Sequence, residues 1–209
     1  MRTTLAALVL GMGGPALAAS PLVGSYDGHQ MEVAAGLDLN ADGTFQYGLS
    51  YGALDEQAKG RWMERDGKVL LTTEPAPKRP TFTVVSDTPS SDGKLIVALD
   101  KPEALGGVTL TVRVTFKGSD KPMFLEVGED GTVPLPRGLT PVAVVPDLPI
   151  YDVPLDPYPL KDVGRTLIFR FEPNDLGVAD FRDEPLIIDN GQLVMRRYDR
   201  TLTFRKEGK

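Results

Sequence analysis

Alternation of apolar and polar residues with a period of two runs through most of this 209-residue chain, and it limits the fold more than any other feature. Successive side chains on a strand point to opposite faces, so this period indicates strands with one buried face. Residues 44–51 place an aromatic residue or leucine at every second position, and residues 108–116 and 166–171 repeat the pattern. The alternation predicts an all-β protein.

Turn signals separate these runs. Each pairs a residue that tolerates positive φ with a glycine, as tight hairpins require. The pairs are Asp42-Gly43, Asp66-Gly67, Asp92-Gly93, Asp130-Gly131 and Asn190-Gly191. Hairpins of this kind predict antiparallel pairing. Residues 52–59 (GALDEQAK) show no clean alternation, and we expect a helical turn or a broad loop there.

Composition breaks suggest two modules. The polar, turn-forming stretch 88–93 divides a small antiparallel barrel or meander at 20–87 from a β-sandwich at 93–209. In the alternative arrangement, the last hairpin (193–205) returns to pair with the first strands, and the sandwich interrupts the barrel. The proline-rich stretch 134–159 is expected to wrap over the sandwich as a connection, or to serve as a strap that docks a partner.

The alternation also predicts which side chains form the core. These residues occupy the apolar face of each strand, and a one-residue error in register would exchange the faces of a whole strand. The predicted core is Phe45, Tyr47, Leu49, Trp62, Leu70, Val112, Val114, Phe116, Leu167, Phe169 and Phe171.

Residues 1–18 have the features of a signal peptide. Arg2 precedes a short apolar run, and Ala16 and Ala18 form an A-x-A cleavage site, so we expect cleavage near Ala18. The run is broken by glycines and is shorter than the roughly 20 residues of a membrane span. The mature chain should therefore be periplasmic or secreted, without a transmembrane segment. The lack of cysteine excludes disulfide scaffolds and thiol catalysis.

The stretch 37–45, followed by Tyr51, residues 60–62 (GRW) and 67–71 (GKVLL), resembles the lipocalin-like small-barrel modules of exported bacterial proteins. Residues 110–136 are similar to a prealbumin-like or carboxypeptidase-regulatory-like β-sandwich. The resemblance implies a barrel combined with a sandwich, and neither family brings a fixed catalytic set.

An aromatic cluster is the candidate ligand-binding site. Tyr47, Tyr51 and Trp62 fall on consecutive predicted strands beside several glycines. Aromatic side chains next to small residues suit a shallow apolar site for a lipid, a glycan or an extended peptide. The alternative is that the same alternating residues simply form the barrel core.

Two other patterns resemble sites of chemistry, but their surroundings favour a structural role. Asp38, Asn40 and Asp42 match the first half of a calcium loop, but position 12 is Leu49 where a glutamate is needed, so we expect a hairpin turn and no metal. His29 is the only histidine, and no nucleophile motif accompanies it. We expect a surface histidine, no catalytic residue and no cofactor.

The charged residues favour solvated surfaces over sites. Acidic pairs such as Asp55 with Glu56 are expected in solvated loops, and the basic run 196–200 at a solvated strand end. A formal net charge of −6 argues against nucleic-acid binding, which needs a cationic face.

These observations predict a non-enzymatic binding or interaction protein of the bacterial cell envelope, whose partner is an envelope protein or a small apolar ligand. A carrier of an apolar ligand or lipid in a lipocalin-like barrel is the first alternative. A hydrolase that uses carboxylates is the second, because acids from distant strands can converge in space.

Overall fold

The computed structural model describes residues 20–151, 153 and 155–208. Strands make up 54% of the described residues and helix 2%, so the predicted all-β class is confirmed. The signal peptide predicted at 1–18 lies outside the described residues. Among the residues described, no helix is long and apolar enough to cross a membrane.

Eight antiparallel strands form a closed barrel in the order β1-β15-β14-β13-β5-β4-β3-β2. Strands β1 to β5 are consecutive in sequence, and strands β13 to β15 follow after a long interval. Their bounds are β1 Gly24–Asp27, β2 Val33–Leu39, β3 Thr44–Tyr51, β4 Leu54–Arg65, β5 Lys68–Thr73, β13 Glu184–Asp189, β14 Gln192–Arg197 and β15 Arg200–Lys206.

The last hairpin closes the barrel, because β15 pairs with β1 at Tyr26↔Lys206 and Asp27↔Arg205. This is the alternative arrangement from the sequence, in which the sandwich interrupts the barrel. The strands between residues 184 and 206 therefore belong to the barrel and not to a sandwich that runs from 93 to 209.

The interval between β5 and β13 forms two further sheets. A four-stranded sheet has the order β11-β10-β8-β9, and a three-stranded sheet has the order β6-β12-β7. The bounds are β6 Thr81–Pro89, β7 Ile96–Leu99, β8 Thr111–Phe116, β9 Met123–Glu126, β10 Pro141–Asp147, β11 Tyr158–Pro159 and β12 Arg165–Glu172, with a short 3₁₀ helix at Pro102–Leu105. The proline-rich stretch 134–159 thus contributes an inner strand, β10, as well as a connection.

The interruption occurs between two neighbouring strands. β5 and β13 pair antiparallel, with Leu71 opposite Glu184, so the chain leaves the barrel and returns to it at the same place. Thr73, the last residue of β5, bonds the segment that returns to the barrel. Its amide donates to the carbonyl of Phe181 (2.9 Å), and its hydroxyl donates to the carbonyl of Ala179 (2.7 Å). The barrel is therefore continuous, and the two sheets are inserted where a hairpin turn would suffice.

The predicted core is confirmed at every position but one. Ten of the eleven residues are buried, whereas Trp62 is half-buried and packs at the edge of the barrel core. Its indole Nε1 donates to the carbonyl of Asn40 (3.0 Å), and this contact places the ring beside the Asn40–Gly43 turn. The indole N–H needs an acceptor, and the strand-end carbonyl of Asn40 supplies it at the rim.

Residues 54–59 form the start of strand β4 and only 52–53 form a turn, where a helical turn or a broad loop was expected over 52–59. Leu54, Glu56 and Ala58 point inward, and Asp55 and Gln57 point outward. The strand was missed because one of its inward positions carries a charged residue, which interrupts the apolar alternation.

Candidate functional site

A cleft of about 480 Å³ lies at the end of the barrel where β4 begins and β14 ends. The segment 77–80, residues 150–151 and the return segment 175–180 build its walls against the barrel. Most of the wall is apolar, and its apolar residues are Leu54, Pro77, Pro80, Ile150, Leu176, Val178 and Ala179. The cleft therefore forms where the inserted sheets join the barrel.

A second, open groove of about 630 Å³ runs along the outer face of β2, β3 and β4. Gly36 and Gly48 pair directly across β2 and β3, and no atom lies within 4 Å of a side chain added at either. The groove and the cleft share four lining residues, Glu56, Tyr151, Leu176 and Gly177, so the two spaces are neighbours. The groove is more open than the cleft, and the cleft has a floor formed by charged side chains.

The floor of the cleft is a buried ion pair. Glu56 on β4 accepts a hydrogen bond from Nε of Arg197 on β14 (2.7 Å), and Nη2 of Arg197 binds the second carboxylate oxygen. The hydroxyl of Tyr198 donates to Glu56 Oε1 (2.7 Å), and that of Tyr47 to Oε2 (3.3 Å). Each carboxylate oxygen thus has two donors, as a buried charge requires.

Two aromatic rings contact the guanidinium of Arg197. Its central carbon lies 5.1 Å from the ring centroid of Phe181 and 4.9 Å from that of Tyr198. Cations over aromatic faces are attracted by the ring quadrupole, more strongly where water is excluded. Phe181 in turn packs edge-on against Tyr47, with centroids 5.1 Å apart. These contacts fix the orientation of the charged group.

Burial and charge shift the pKa of the groups around Glu56. Burial lowers the pKa of Arg197, but the hydrogen bond and the negative charge of Glu56 outweigh this, so its pKa lies above the ordinary value. Burial and the hydrogen bond to Glu56 raise the pKa of Tyr198 to about 12. Burial, helped by the charge of Glu56, raises the pKa of Tyr47 further. Both phenols therefore act as neutral donors at physiological pH.

The turn after Arg197 positions the tyrosine at the mouth of the cleft. Tyr198 and Asp199 both have positive φ (52° and 56°), the conformation of a two-residue hairpin between β14 and β15. An aromatic residue is uncommon in this region of φ and costs free energy there. The hydrogen bond to Glu56 and the contact with Arg197 offset that cost.

The rim carries further charges. Asp180 accepts a hydrogen bond from Arg182 Nη2 (2.7 Å) and lies 3.9 Å from Arg79 Nη2. Asp175 accepts a hydrogen bond from the backbone amide of Lys78 (2.7 Å). The acids at the rim therefore all have donors.

The structure separates the three residues of the predicted aromatic site. Tyr47 is buried in the barrel, with its hydroxyl on Glu56. Tyr51 lies at the same end of the barrel, where Arg200 stacks on its ring (4.4 Å) and donates to its hydroxyl (2.7 Å). Trp62 lies at the opposite end, roughly 26 Å away along the strand. Only Tyr47 contacts the floor of the cleft.

Of the residues Asp38, Asn40 and Asp42, the last two bond the same residue, Thr44. The carboxylate of Asp42 accepts from the amide of Thr44 (2.9 Å) and from its hydroxyl, and the side-chain amide of Asn40 donates to the same hydroxyl (3.0 Å). These contacts are those of a hairpin turn. The part of the chain that the structure describes holds no group of three histidine, cysteine or acidic residues placed to bind a metal.

His29 is exposed, as predicted, and its ring bonds the carboxylate of Asp27. The backbone amide of His29 donates to the same carboxylate (2.9 Å), and these two hydrogen bonds hold the pKa of Asp27 below its ordinary value. The pair lies beside the outer groove and away from the cleft.

Sequence reasoning missed Glu56 and Arg197. Both were expected in solvated segments, whereas Glu56 is buried and the side chain of Arg197 is only 21% exposed. Their partnership spans 141 positions in sequence, so neither could be recognised alone. The available signal is the alternation of residues 54–58, which places Glu56 on the inward face once the stretch is taken as a strand.

The barrel lumen itself is filled by side chains. Residues of all eight strands and of the segment 179–181 pack inside it, and the largest of those under 2% exposed are Phe45, Phe181, Phe204, Leu37, Leu39, Leu71, Leu186, Leu193 and Met195. An eight-stranded barrel is just wide enough for side chains to fill, or to hold one small ligand. In this protein side chains fill the lumen, and the cleft lies outside the lumen.

Comparison of the chain with protein-family models, with curated proteins and with solved structures gave no match. The resemblance to lipocalin-like and prealbumin-like modules therefore stays a prediction, and the fold and the cleft are the basis for function.

Proposed function

We propose that this protein is a non-enzymatic binding protein, and that a small molecule occupies the cleft at the end of the barrel. The observation that carries the proposal is the cleft itself: a space of about 480 Å³ with apolar walls over a rigid, charged floor. Ligand sites are typically concave, of roughly 300–1,000 Å³, with mostly apolar walls and a few well-placed polar groups.

Binding is favoured over catalysis by the state of the acids in the cleft. Glu56 accepts from Arg197 and two tyrosines, Asp180 accepts from Arg182, and Asp175 accepts from a backbone amide. A general acid or base must be free to exchange a proton with substrate. Carboxylates that are committed to structural donors serve better as a scaffold than as catalysts.

The filled lumen supports the cleft over the lumen as the ligand site. A carrier of the lipocalin type would hold its ligand inside the barrel, where Phe45, Phe181 and Phe204 now pack. The apolar wall of the cleft offers an alternative surface for the apolar part of a ligand. We propose that this binding takes place after export, as residues 1–18 predict, and N-terminal sequencing of the secreted protein tests the location.

The proposal can be tested with Nile red, a neutral dye whose emission shifts in apolar surroundings. We expect saturable binding to the wild-type protein. Ile150→Trp places a bulky side chain in the cleft and should weaken binding by about tenfold or more. Val85→Trp adds the same side chain at a half-exposed position outside the cleft and should leave binding unchanged.

An equal effect of the two tryptophan variants, or none from Ile150→Trp, would refute the cleft as the site. Thermal unfolding of both variants provides the folding control, since each changes a partly exposed side chain.

A further inference from the structure

The guanidinium of Arg197 has hydrogen-bonding capacity that the protein does not use. Nε and Nη2 are directed to Glu56, and Nη2 also lies 3.4 Å from the hydroxyl of Tyr198. Within the described part of the chain, Nη1 makes no hydrogen bond and no ion pair. Its two N–H groups are therefore available to another acceptor.

These N–H groups are reached by solvent, and Arg197 lines the cleft. Among the described residues, only Asp100 Oδ1 and Arg113 Nε are fully buried side-chain atoms that lack a hydrogen bond. Nη1 of Arg197 also lacks one and is absent from that pair, so it is reached by solvent. Since Arg197 lines the cleft and the rest of its side chain is largely buried, the cleft is the route by which an acceptor would reach it.

The donor is also held rigidly. Phe181 and Tyr198 flank the guanidinium, and Glu56 fixes it in its own plane through two hydrogen bonds. A fixed guanidinium loses little entropy on binding and matches the planar geometry of a carboxylate. An acceptor that arrives from the cleft therefore meets a donor that is already oriented.

The rim adds unpaired positive charge. The ammonium group of Lys78 makes no ion pair with any described residue, and Arg79 has only the long contact of 3.9 Å with Asp180. The groups that face this rim are Glu56, Asp175 and Asp180, each with the donor described above. Arg197 is paired with Glu56, and Asp180 is paired with Arg182, which lies outside the lining, so Lys78 and Arg79 are the cleft cations without a close ion pair.

We infer that the ligand of this cleft is an organic monocarboxylate with an apolar body. Its carboxylate accepts from Nη1 of Arg197 and lies within the field of Lys78 and Arg79, while its body packs on Ile150, Val178 and neighbouring apolar residues. This inference rests on the proposed function and specifies the chemical class of its ligand.

The test compares three probes that share one apolar body: phenylbutyrate, phenylbutanol and phenylbutylamine. Each is titrated against the complex of wild-type protein with Nile red, and displacement of the dye is measured. We expect phenylbutyrate to bind about tenfold more tightly than the alcohol, and the amine to bind most weakly. Phenylbutylphosphonate is included to separate a carboxylate from other anions.

Charge variants identify the groups that select the acid. Lys78→Gln and Arg79→Gln should each reduce the affinity for phenylbutyrate several-fold and leave that for the alcohol unchanged. Lys121→Gln is the matched control, since it removes an exposed positive charge that does not line the cleft. Arg197→Lys keeps the charge opposite Glu56 but lacks Nη1, and it should abolish the preference for the acid.

The outcomes separate the two proposals. If the alcohol, the amine or the phosphonate binds as tightly as phenylbutyrate, the carboxylate inference fails although the cleft still binds ligands. If none of the probes displaces Nile red although Ile150→Trp weakens the binding of Nile red, the carboxylate inference also fails. The proposed binding function then stands. If Ile150→Trp does not change the affinity for Nile red, the proposed function itself fails.

Discussion

Glu56 on β4 and Arg197 on β14 form a buried ion pair across the barrel, with Nε of the arginine 2.7 Å from a carboxylate oxygen. The two strands are three neighbours apart around the barrel, so the pair bridges its end. Removing one partner leaves the other buried without compensation, and such losses are much larger than the net contribution of the pair.

We therefore expect Glu56→Ala and Arg197→Met each to lower the free energy of unfolding by about 3–5 kcal/mol. The double variant should lose clearly less than the two single losses combined, because neither charge is then left alone. Urea denaturation of the four proteins measures this coupling. Additive losses would show that the two side chains act independently.

A second ion pair, between Asp87 on β6 and Arg165 on β12, should make stability depend on pH. Arg165 Nε donates to Asp87 (2.7 Å), and Tyr158 donates to its other oxygen (2.9 Å). Burial alone would raise the pKa of Asp87, but these hydrogen bonds outweigh it and hold the pKa below the ordinary value. The carboxylate therefore stabilises the fold above the unfolded-state pKa near 4, and this contribution is lost as the pH falls through the lower folded-state value.

Asp87→Asn should thus lower the free energy of unfolding at pH 7 by about 3 kcal/mol. The difference from wild type should shrink as the pH falls below about 4. Urea denaturation at a series of pH values measures both. A difference that stays constant down to pH 2 would contradict the assignment.

Phe181 lies in the segment that returns from the inserted sheets to the barrel, and a substitution there tests its packing. It is 1% exposed and contacts Tyr47, Phe45 and the guanidinium of Arg197. Phe181→Ala should cost about 3–5 kcal/mol, as buried phenylalanines do. Phe124→Ala is the matched control: that ring is 67% exposed on the edge strand β9, and its loss should change stability by at most about 0.5 kcal/mol. Similar losses for both would mean that Phe181 does not pack as described.

Gly60 lies where β4 passes from its pairing with β3 to its pairing with β5. A Cβ at this position would lie 2.0 Å from the carbonyl oxygen of Thr72, so the backbone would have to move. We expect Gly60→Ala to destabilise the protein by about 1–3 kcal/mol in a thermal or urea unfolding measurement. Gly48→Ala, on the neighbouring strand with open space around it, should be neutral or slightly stabilising. The reverse order would refute this local packing.

The alternation in the sequence predicts the strands and most of the core, because burial of one face repeats every second residue. It fails for Trp62, whose indole N–H needs the carbonyl of Asn40 at the barrel edge, a tertiary contact. It also fails for Glu56, since a charged residue on the inward face is stable only with a partner from a distant strand. The ion pair at the floor of the cleft therefore cannot be predicted from the local sequence pattern.

The arrangement of the strands could be narrowed but not decided from the sequence. The same hairpin at 193–205 could extend a sandwich or close a barrel, because both accept antiparallel strands with one apolar face. The pairing of Tyr26 with Lys206 decides it, and nothing local to either residue indicates that contact.

The insertion between β5 and β13 also favours an order of events during folding. The strands of the inserted sheets, β6 to β12, pair with one another in two sheets separate from the barrel, so those sheets can complete their pairing without β13 to β15. The barrel must wait for its last hairpin and then close a loop that spans most of the chain, which makes closure the slow, high-contact-order step. Pulsed hydrogen exchange during refolding would show the amide of Val114 protected before that of Tyr26, and the opposite order would contradict this sequence of events.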